Sequence, residues 1–183
     1  MKLVWVPIME SADPHNKTKV LGINEYLPGT IKSLDQKTSQ CEIMYVDSHN
    51  GPKMVNADLL EQRALNPELE DDLCDVFPLN KAELLRNLQR KYDSDDVHAD
   101  CGNTLIAINP NHGGGSKGDY KINPEHIGEC IKWAKREIKE KPYPHVNCLG
   151  AKAYRQLFET PEGMPQAVCV SGESGAGKTW NTK

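Results

Sequence analysis

The sequence predicts an α/β fold, in which a partial mixed sheet with helical crossovers follows a small antiparallel β-barrel. Residues 1–63 hold short β-type runs separated by turn residues, and residues 80–183 alternate helical with strand-like runs. The last strand-like run leads into a glycine-rich loop, as strands of such sheets do at their ligand-binding edge. We therefore expect a barrel at 1–63, a linker at 64–79 and the start of an α/β core at 80–183.

The barrel prediction depends on four short runs of β-forming residues: 3–7, 30–34, 41–46 and 53–55. Turn-forming residues separate these runs: Asp13-Pro14, Pro28-Gly29 and Asn50-Gly51-Pro52. Short strands at nearly regular spacing are typical of a small antiparallel barrel. A free-standing β-barrel interaction module has the same pattern, so this segment by itself favours neither interpretation.

A helix is predicted to begin after Asn80. Asn80 is a good N-cap, and Glu83, three residues later, completes the pattern of a capping box. The apolar side chains that follow are spaced at i, i+4 and i+8, which predicts one buried stripe: Leu84, Leu88 and Tyr92. The helix is expected to end in the polar stretch 93–96. In the preceding linker, the acidic run 68–72 is expected to be a solvated surface.

A buried strand is predicted at 105–108, where a compact apolar run stops at Asn109 and Pro110. The stretch 113–118 is rich in glycine but lacks the Gly-Lys-Ser/Thr ending, so we interpret it as a loop and not as a second phosphate site.

The next helix is predicted to start at Asn123, its cap, with Pro124 in the first turn. It should end before Lys141, and its apolar stripe repeats at helical spacing: Ile127, Ile131, Ala134 and Ile138. Its basic face is expected to be solvated. A final strand is predicted at 166–171.

Residues 172–179 match the phosphate-binding pattern G-x-x-x-x-G-K-[ST] directly after that strand. A triphosphate needs donors that converge on it, and three glycines let the backbone curl around it: Gly172, Gly175 and Gly177. Lys178 is predicted to reach the β- and γ-phosphates, and the Thr179 hydroxyl to bind magnesium. The sequence thus predicts a P-loop NTPase core; the alternative is a flexible glycine-rich loop beside a helix cap.

Composition excludes several classes of protein. With 22 Lys and Arg against 26 Asp and Glu, the chain is mildly acidic and has no basic stripe, so nucleic acid is not an expected partner. No apolar run is long enough to span a bilayer, and the amino terminus lacks the layout of a signal peptide. A soluble, cytoplasmic protein is therefore expected.

Cysteines and histidines offer no convincing metal or catalytic site. The six cysteines are scattered without a C-x-x-C pair, which favours reduced, mostly buried thiols. His126 and Cys130 lie one helical turn apart, but a structural zinc site needs four ligands and no second pair is visible, so packing is favoured. No motif pairs a Ser or Cys nucleophile with His145.

The loop and residues 181–183 resemble the phosphate loop of the myosin motor domain, in the variable positions as well as the fixed ones. Trp180 departs from this pattern, because myosins usually carry Glu there. Further segments resemble myosins in the family's order and run through most of the chain: Trp5-Val6-Pro7, Leu79-Asn80, Asn109-Pro110, Pro144-His145-Val146 and Ala153-Tyr154-Arg155. By this resemblance, 80–183 is the start of a motor core and His145 is structural.

The resemblance implies that ATP and magnesium bind the loop, with Lys178 as the catalytic residue and Thr179 as the magnesium ligand. Asn109 and Pro110 would border the base. In myosins a downstream Tyr does so too, but here Lys117 falls at its position and Tyr120 comes three residues later. The implied nucleotide-binding residues are Gly172, Glu173, Ser174, Gly175, Ala176, Gly177, Lys178, Thr179, Asn109, Pro110 and Tyr120.

The implied function is that of the ATP-binding segment of an actin-based cytoskeletal motor, located in the cytoplasm at the actin cytoskeleton in a myosin complex. Actin filaments would bind through regions absent from this chain, and the resemblance also allows light chains on a missing lever. Because the switch segments are absent, we expect residues 1–183 alone to bind ATP weakly, to be poorly soluble and not to hydrolyse ATP usefully. The alternatives are a non-enzymatic β-barrel adaptor with a vestigial nucleotide loop, and another P-loop NTPase.

Overall fold

The computed structural model describes residues 2–7, 26–45, 52–64, 68–110, 123–159 and 163–182. The chain divides into two compact units. The first comprises Met1–Glu70 and Asp75–Arg90, and the second comprises Asp71–Cys74 and Lys91–Lys183.

In the first unit, the described residues form an antiparallel sheet with the strand order β4-β3-β2-β1-β5. Its strands are β1 (Lys2–Pro7), β2 (Tyr26–Asp35), β3 (Gln40–Tyr45), β4 (Lys53–Asn56) and β5 (Glu61–Gln62). The described residues of the four predicted runs all lie in strands, and Val46 lies outside the described residues. Pro28 and Gly29, predicted as a turn, instead lie inside β2 and pair with β1, because β2 begins before them. β5 is too short to be recognised from its sequence. No ladder joins β4 to β5 among the described residues, so the closed barrel stays a prediction.

The core of this sheet follows the two-residue period of β-structure. Val4 and Val6 of β1 pack with Cys41 and Ile43 of β3, and all four are buried. Gly29 of β2 lies against this core: a Cβ atom at this position would come within 2.7 Å of the Ile43 Cγ2 atom. A side chain at this position would therefore displace the Ile43 and Val6 side chains from the core.

Helix α1 spans Lys81–Asp93 and begins as predicted, since the Asn80 side chain accepts a hydrogen bond from the Glu83 backbone N–H at 2.9 Å. The reciprocal half of the capping box is not formed. The fully buried Glu83 carboxylate accepts instead from the Trp5 indole at 2.7 Å and from the Ala64 N–H at 2.8 Å, and it pairs with Arg86. Glu83 thus holds β1 and the chain after β5 against the helix.

The buried stripe of α1 is polar and lies one position before the predicted one. Glu83, Asn87 and Lys91 are buried, whereas the predicted leucines at 84 and 88 are only partly so. Asn87 exchanges two hydrogen bonds with the Glu70 backbone, and Lys91 pairs with Asp71 and Asp96. Because the chain at 70–71 supplies these partners, the predicted solvated acidic run is instead partly engaged with the helix.

In the second unit, β6 (His98–Cys101) and β7 (Thr104–Ala107) form an antiparallel hairpin. Helix α2 spans Pro124–Ala134, and the Asn123 side chain caps it as predicted by accepting from the N–H groups of residues 125 and 126. Helices α3 (Val146–Leu157) and α4 (Lys178–Asn181) complete the described elements.

Helix α2 buries a different face from the one predicted. His126, Cys130 and Trp133 are buried, and Cys130 and Trp133 pack against Cys148 of α3, whereas Ile131 is 48% exposed. The helix ends at Ala134, before the predicted end, and Arg136 follows with a φ of 66°. Apolar spacing alone placed the stripe one residue too late, because it did not count a histidine and a cysteine as core.

The predicted strand at 166–171 is wrong for the described residues. This stretch has no regular secondary structure, and Val168 and Val170 are 52% and 44% exposed. A strand exists only through hydrogen bonds to a neighbour, and no described segment forms a ladder with it. The described part of the second unit therefore contains the β6–β7 hairpin and not a mixed sheet.

Candidate phosphate-binding site

The loop at 172–179 is curled, as its glycines predict. Gly175 and Gly177 have φ angles of 82° and 89°, which side-chain-bearing residues rarely adopt. Within the loop, the Ala176 N–H donates to the Glu173 carbonyl at 3.2 Å and closes a turn. Helix α4 starts immediately after Gly177, whose carbonyl accepts from the N–H groups of Trp180 and Asn181.

Lys178 lies over the mouth of this loop. Its Nζ donates to the carbonyl oxygens of Gly172 and Glu173, both at 2.7 Å. An ammonium group has three donors, and these bonds use two of them. The positive charge of Lys178 is therefore held close to the exposed backbone of the loop, where it could interact with a bound anion.

Asn109 and Pro110, predicted on the base side, follow β7 and come close to the loop. The Asn109 side-chain amide donates to the Gly175 carbonyl at 2.8 Å, and the Pro110 carbonyl accepts from the Tyr92 hydroxyl at 3.1 Å. Tyr120 and Lys117 lie outside the described residues. The structure thus joins Asn109 directly to the loop, whereas the hydrogen bond of Pro110 goes to Tyr92 of α1.

The residues of the loop fit a magnesium-bound triphosphate. Backbone from Ser171 to Gly175 is exposed, the Lys178 ammonium is adjacent, and Thr179 presents an exposed side chain. Backbone N–H groups and an ammonium suit phosphate oxygens, and a hydroxyl suits magnesium. Carboxylates would repel phosphate, and the loop contains one of them, Glu173.

A cavity of about 590 Å³ lies beside the loop, and we call it the loop-side cavity. Its described lining comes from the ends of β7 and of the loop, the start of α3, and α4. Trp180 is 76% exposed on this lining, and His98 is only 8% exposed. Sequence reasoning missed His98, because a lone histidine in a short strand carries no motif.

Three histidines cluster beside this cavity, and two of them, His98 and His145, line it. The His98 and His145 rings are 4.7 Å apart, those of His126 and His145 are 5.2 Å apart, and Tyr143 stacks on His126. Burial, with the neighbouring histidines, lowers the pKa of His145 to about 4. Its Nδ1 accepts from the Asn147 N–H at 3.1 Å and caps α3, which agrees with a structural and not a catalytic role.

His126 and Cys130 contact each other in the core, with 3.6 Å between Nε2 and Sγ. Burial raises the pKa of the Cys130 thiol to about 12, so it stays protonated and is a poor metal ligand. Within the described ranges, no three His, Cys, Asp or Glu side chains group closely enough to hold a metal ion. Both side chains are buried, and Cys130 packs with Trp133 and Cys148 in the core.

Among the described helices, none combines the length and the apolar character that a membrane crossing requires.

Comparison with known proteins gives consistent matches. Residues 70–183 match the family described as myosin head (motor domain). Myosin-1 of Saccharomyces cerevisiae is 32% identical over 189 aligned positions, which cover 99% of this chain and 9% of that protein. Myosin heavy chain 95F of Drosophila melanogaster is 31% identical over 86% of this chain, and 12% of its own length is covered. Unconventional myosin-VI of Homo sapiens is 37% identical over 62% of this chain and 8% of its own length. The chain therefore spans about a tenth of the length of these curated relatives.

Proposed function

Because this chain belongs to the myosin head (motor domain) family, we propose that it carries the ATP-binding segment of an actin-based motor. In this proposal the whole motor hydrolyses magnesium-bound ATP and couples hydrolysis to movement along actin filaments, in the cytoplasm at the actin cytoskeleton. We assign actin binding and light-chain binding to the whole motor. This chain covers about a tenth of the length of its myosin relatives.

The observation that carries the proposal is the position of Lys178. Its ammonium lies within 2.7 Å of two carbonyls at the start of a curled glycine loop. A cation in this position neutralises phosphate charge, which is the main requirement of phosphoryl transfer. Lys178 is therefore assigned to the β- and γ-phosphates, and the backbone of 172–177 to their remaining oxygens.

Thr179 is assigned to magnesium through its hydroxyl, since its side chain is exposed beside the loop. A magnesium ion supplies charge neutralisation at the phosphates when it is bound. Asn109, Pro110 and Tyr120 are assigned to the base side. In the whole motor, we expect 80–183 to form the start of the motor core, with the mixed sheet of a P-loop NTPase.

The test is titration of magnesium-ATP into the 183-residue chain by calorimetry, compared with Lys178→Ala. We expect Lys178→Ala to weaken ATP binding by about 10- to 100-fold, because hydrogen bonds to charged groups contribute about 1.5–3 kcal/mol. Lys152→Ala is the matched control: Lys152 lies on α3 and donates to the Gly102 carbonyl and to Asn103, away from the loop. Equal ATP affinities of the wild type and Lys178→Ala would contradict the assignment.

The motor itself is tested in the source cells with an antibody against this chain. We expect a polypeptide several times larger than 20.4 kDa that sediments with actin filaments and is released by ATP. A single band near 20.4 kDa that does not sediment with actin filaments would instead support the adaptor alternative.

A further inference from the structure

The loop-side cavity carries an aromatic surface that phosphate binding does not use. Trp180 is 76% exposed on its lining, although tryptophan is one of the side chains that gain most from burial. Phosphate contacts in the proposed site come from the loop backbone and Lys178, neither of which needs an indole. The indole therefore offers its face to a planar, apolar part of a ligand.

The same cavity has a polar atom without a partner. His98 lines the cavity, although only 8% of its surface is exposed. Its Nε2 atom has no hydrogen-bond partner among the described residues. A buried polar atom left unpaired is costly, so a ligand group that reached this nitrogen would gain a hydrogen bond and relieve that cost. Burial also lowers the pKa of His98, which keeps the ring neutral and leaves one ring nitrogen as donor and the other as acceptor.

The cavity is continuous with the phosphate loop. Gly177 belongs to both, and Asn109 lines the cavity while its amide holds the Gly175 carbonyl of the loop. Its volume of about 590 Å³ is that of an ordinary small-ligand site. A ligand whose phosphates lie in the loop would therefore have its other end beside Trp180 and His98.

We propose that the base of the nucleoside triphosphate stacks on the Trp180 indole and hydrogen-bonds through its polar edge to His98 Nε2. This inference rests on the proposed function, since the loop must hold the phosphates. At position 180, where the phosphate loop of myosins usually carries Glu, this chain offers an aromatic face. Every base has a π-face, and one imidazole nitrogen can pair with a donor or an acceptor according to its tautomer. ATP and GTP should therefore bind within about tenfold of each other, which is the contribution of roughly one hydrogen bond.

The experiment compares ATP with inorganic tripolyphosphate, which has the phosphates but no base, on the 183-residue chain. Trp180→Ala should weaken ATP binding by about 5- to 150-fold, the range for loss of one base-stacking side chain, and leave tripolyphosphate binding unchanged. Trp180→Phe keeps an aromatic face and should stay within a few-fold of the wild type. His98→Phe, checked for an unchanged melting temperature, should weaken ATP binding by about 2- to 10-fold.

Tryptophan fluorescence gives a second measurement. ATP should quench the emission of the wild type, and tripolyphosphate should not. Trp180→Phe should abolish the quenching, because the remaining tryptophans at positions 5 and 133 are each only 8% exposed.

Two results would overturn the inference while the phosphate loop stands. One is equal affinity for ATP and tripolyphosphate in the wild type. The other is equal weakening of both ligands by Trp180→Ala, which would mean that Trp180 acts on the loop and not on a base. If ATP binds but Lys178→Ala leaves its affinity unchanged, the phosphate-loop assignment of the proposed function is wrong, and this inference is wrong with it.

Discussion

The side-chain amide of Asn109 donates a hydrogen bond of 2.8 Å to the carbonyl oxygen of Gly175. Asn109 follows β7, and Gly175 is the middle glycine of the phosphate loop, 66 residues later in the chain. A loop of small residues has little side-chain packing of its own, so a bond from a neighbouring element limits its freedom. The curvature of the loop is thus set in part by Asn109, which lies far from it in the sequence.

Asn109→Ala is predicted to weaken ATP binding by about 2- to 10-fold, because a hydrogen bond that orders the loop contributes about 0.5–1.5 kcal/mol. Calorimetric titration of ATP measures the effect. Asn103→Ala is the matched control, since Asn103 lies in the turn of the same hairpin and pairs with Lys152. Equal ATP affinities for the two variants would show that the Asn109 bond does not order the loop.

Gly177→Ala is predicted to weaken ATP binding by about 5- to 30-fold, because a side chain in the left-handed region costs about 1–2 kcal/mol. The strain is conformational, since the nearest atoms to an added Cβ are 3.9 Å away, on Asn109. Gly150→Ala is the control: it lies inside α3 with open space around its Cβ position, and it should raise the unfolding free energy by about 0.5–1 kcal/mol. A Gly177→Ala protein with wild-type ATP affinity would show that the loop adopts another backbone when it binds.

Glu83→Ala is predicted to lower the unfolding free energy of the first unit by about 3–5 kcal/mol, because it leaves the Arg86 charge and the Trp5 indole without their partner. Denaturation followed by tryptophan emission measures it in a Trp133→Phe, Trp180→Phe background, where Trp5 is the remaining tryptophan. The exposed Glu68 provides the control, and Glu68→Ala should change the unfolding free energy by no more than about 0.5 kcal/mol. Similar midpoints for the two variants would exclude Glu83 as a structural centre.

The stability of the second unit is predicted to fall as the pH drops from about 6.5 towards 4. The pKa of His145 is lowered from its ordinary 6.5 to about 4, so between these values the unfolded chain binds a proton that the folded chain does not. The unfolding free energy is therefore highest above pH 6.5, and His145 lowers it progressively as the pH falls towards 4.

His145→Asn tests the source of this pH dependence. Asparagine caps helices well, so the variant keeps an acceptor for the Asn147 N–H while it removes the titrating group. Melting temperatures between pH 4 and 8 should depend less steeply on pH in the variant than in the wild type. An unchanged slope would assign the effect to other groups, of which His98 is the nearest.

Local chemistry explains which predictions the structure bears out. Asn80 and Asn123 cap their helices because an amide oxygen next to the first free N–H groups needs no distant partner. The loop at 172–179 likewise curls as predicted, because Gly175 and Gly177 can adopt positive φ angles. Helix faces were predicted less well, because the buried residues of α1 and α2 include Glu83, Lys91 and His126, whose burial depends on partners elsewhere in the chain.

The sequence by itself determined the curl of the loop at 172–179, the helix caps, and the runs of the first unit that lie in β1 to β4, because these depend on residue types at short, regular spacings. Only the tertiary structure decided that Asn109 holds Gly175, that a polar stripe is buried on α1, and that His98 and Trp180 line one cavity beside the loop. It also left 166–171 without a strand partner among the described residues. Hydrogen bonds and contacts between residues far apart in the chain create these features, and no local periodicity encodes them.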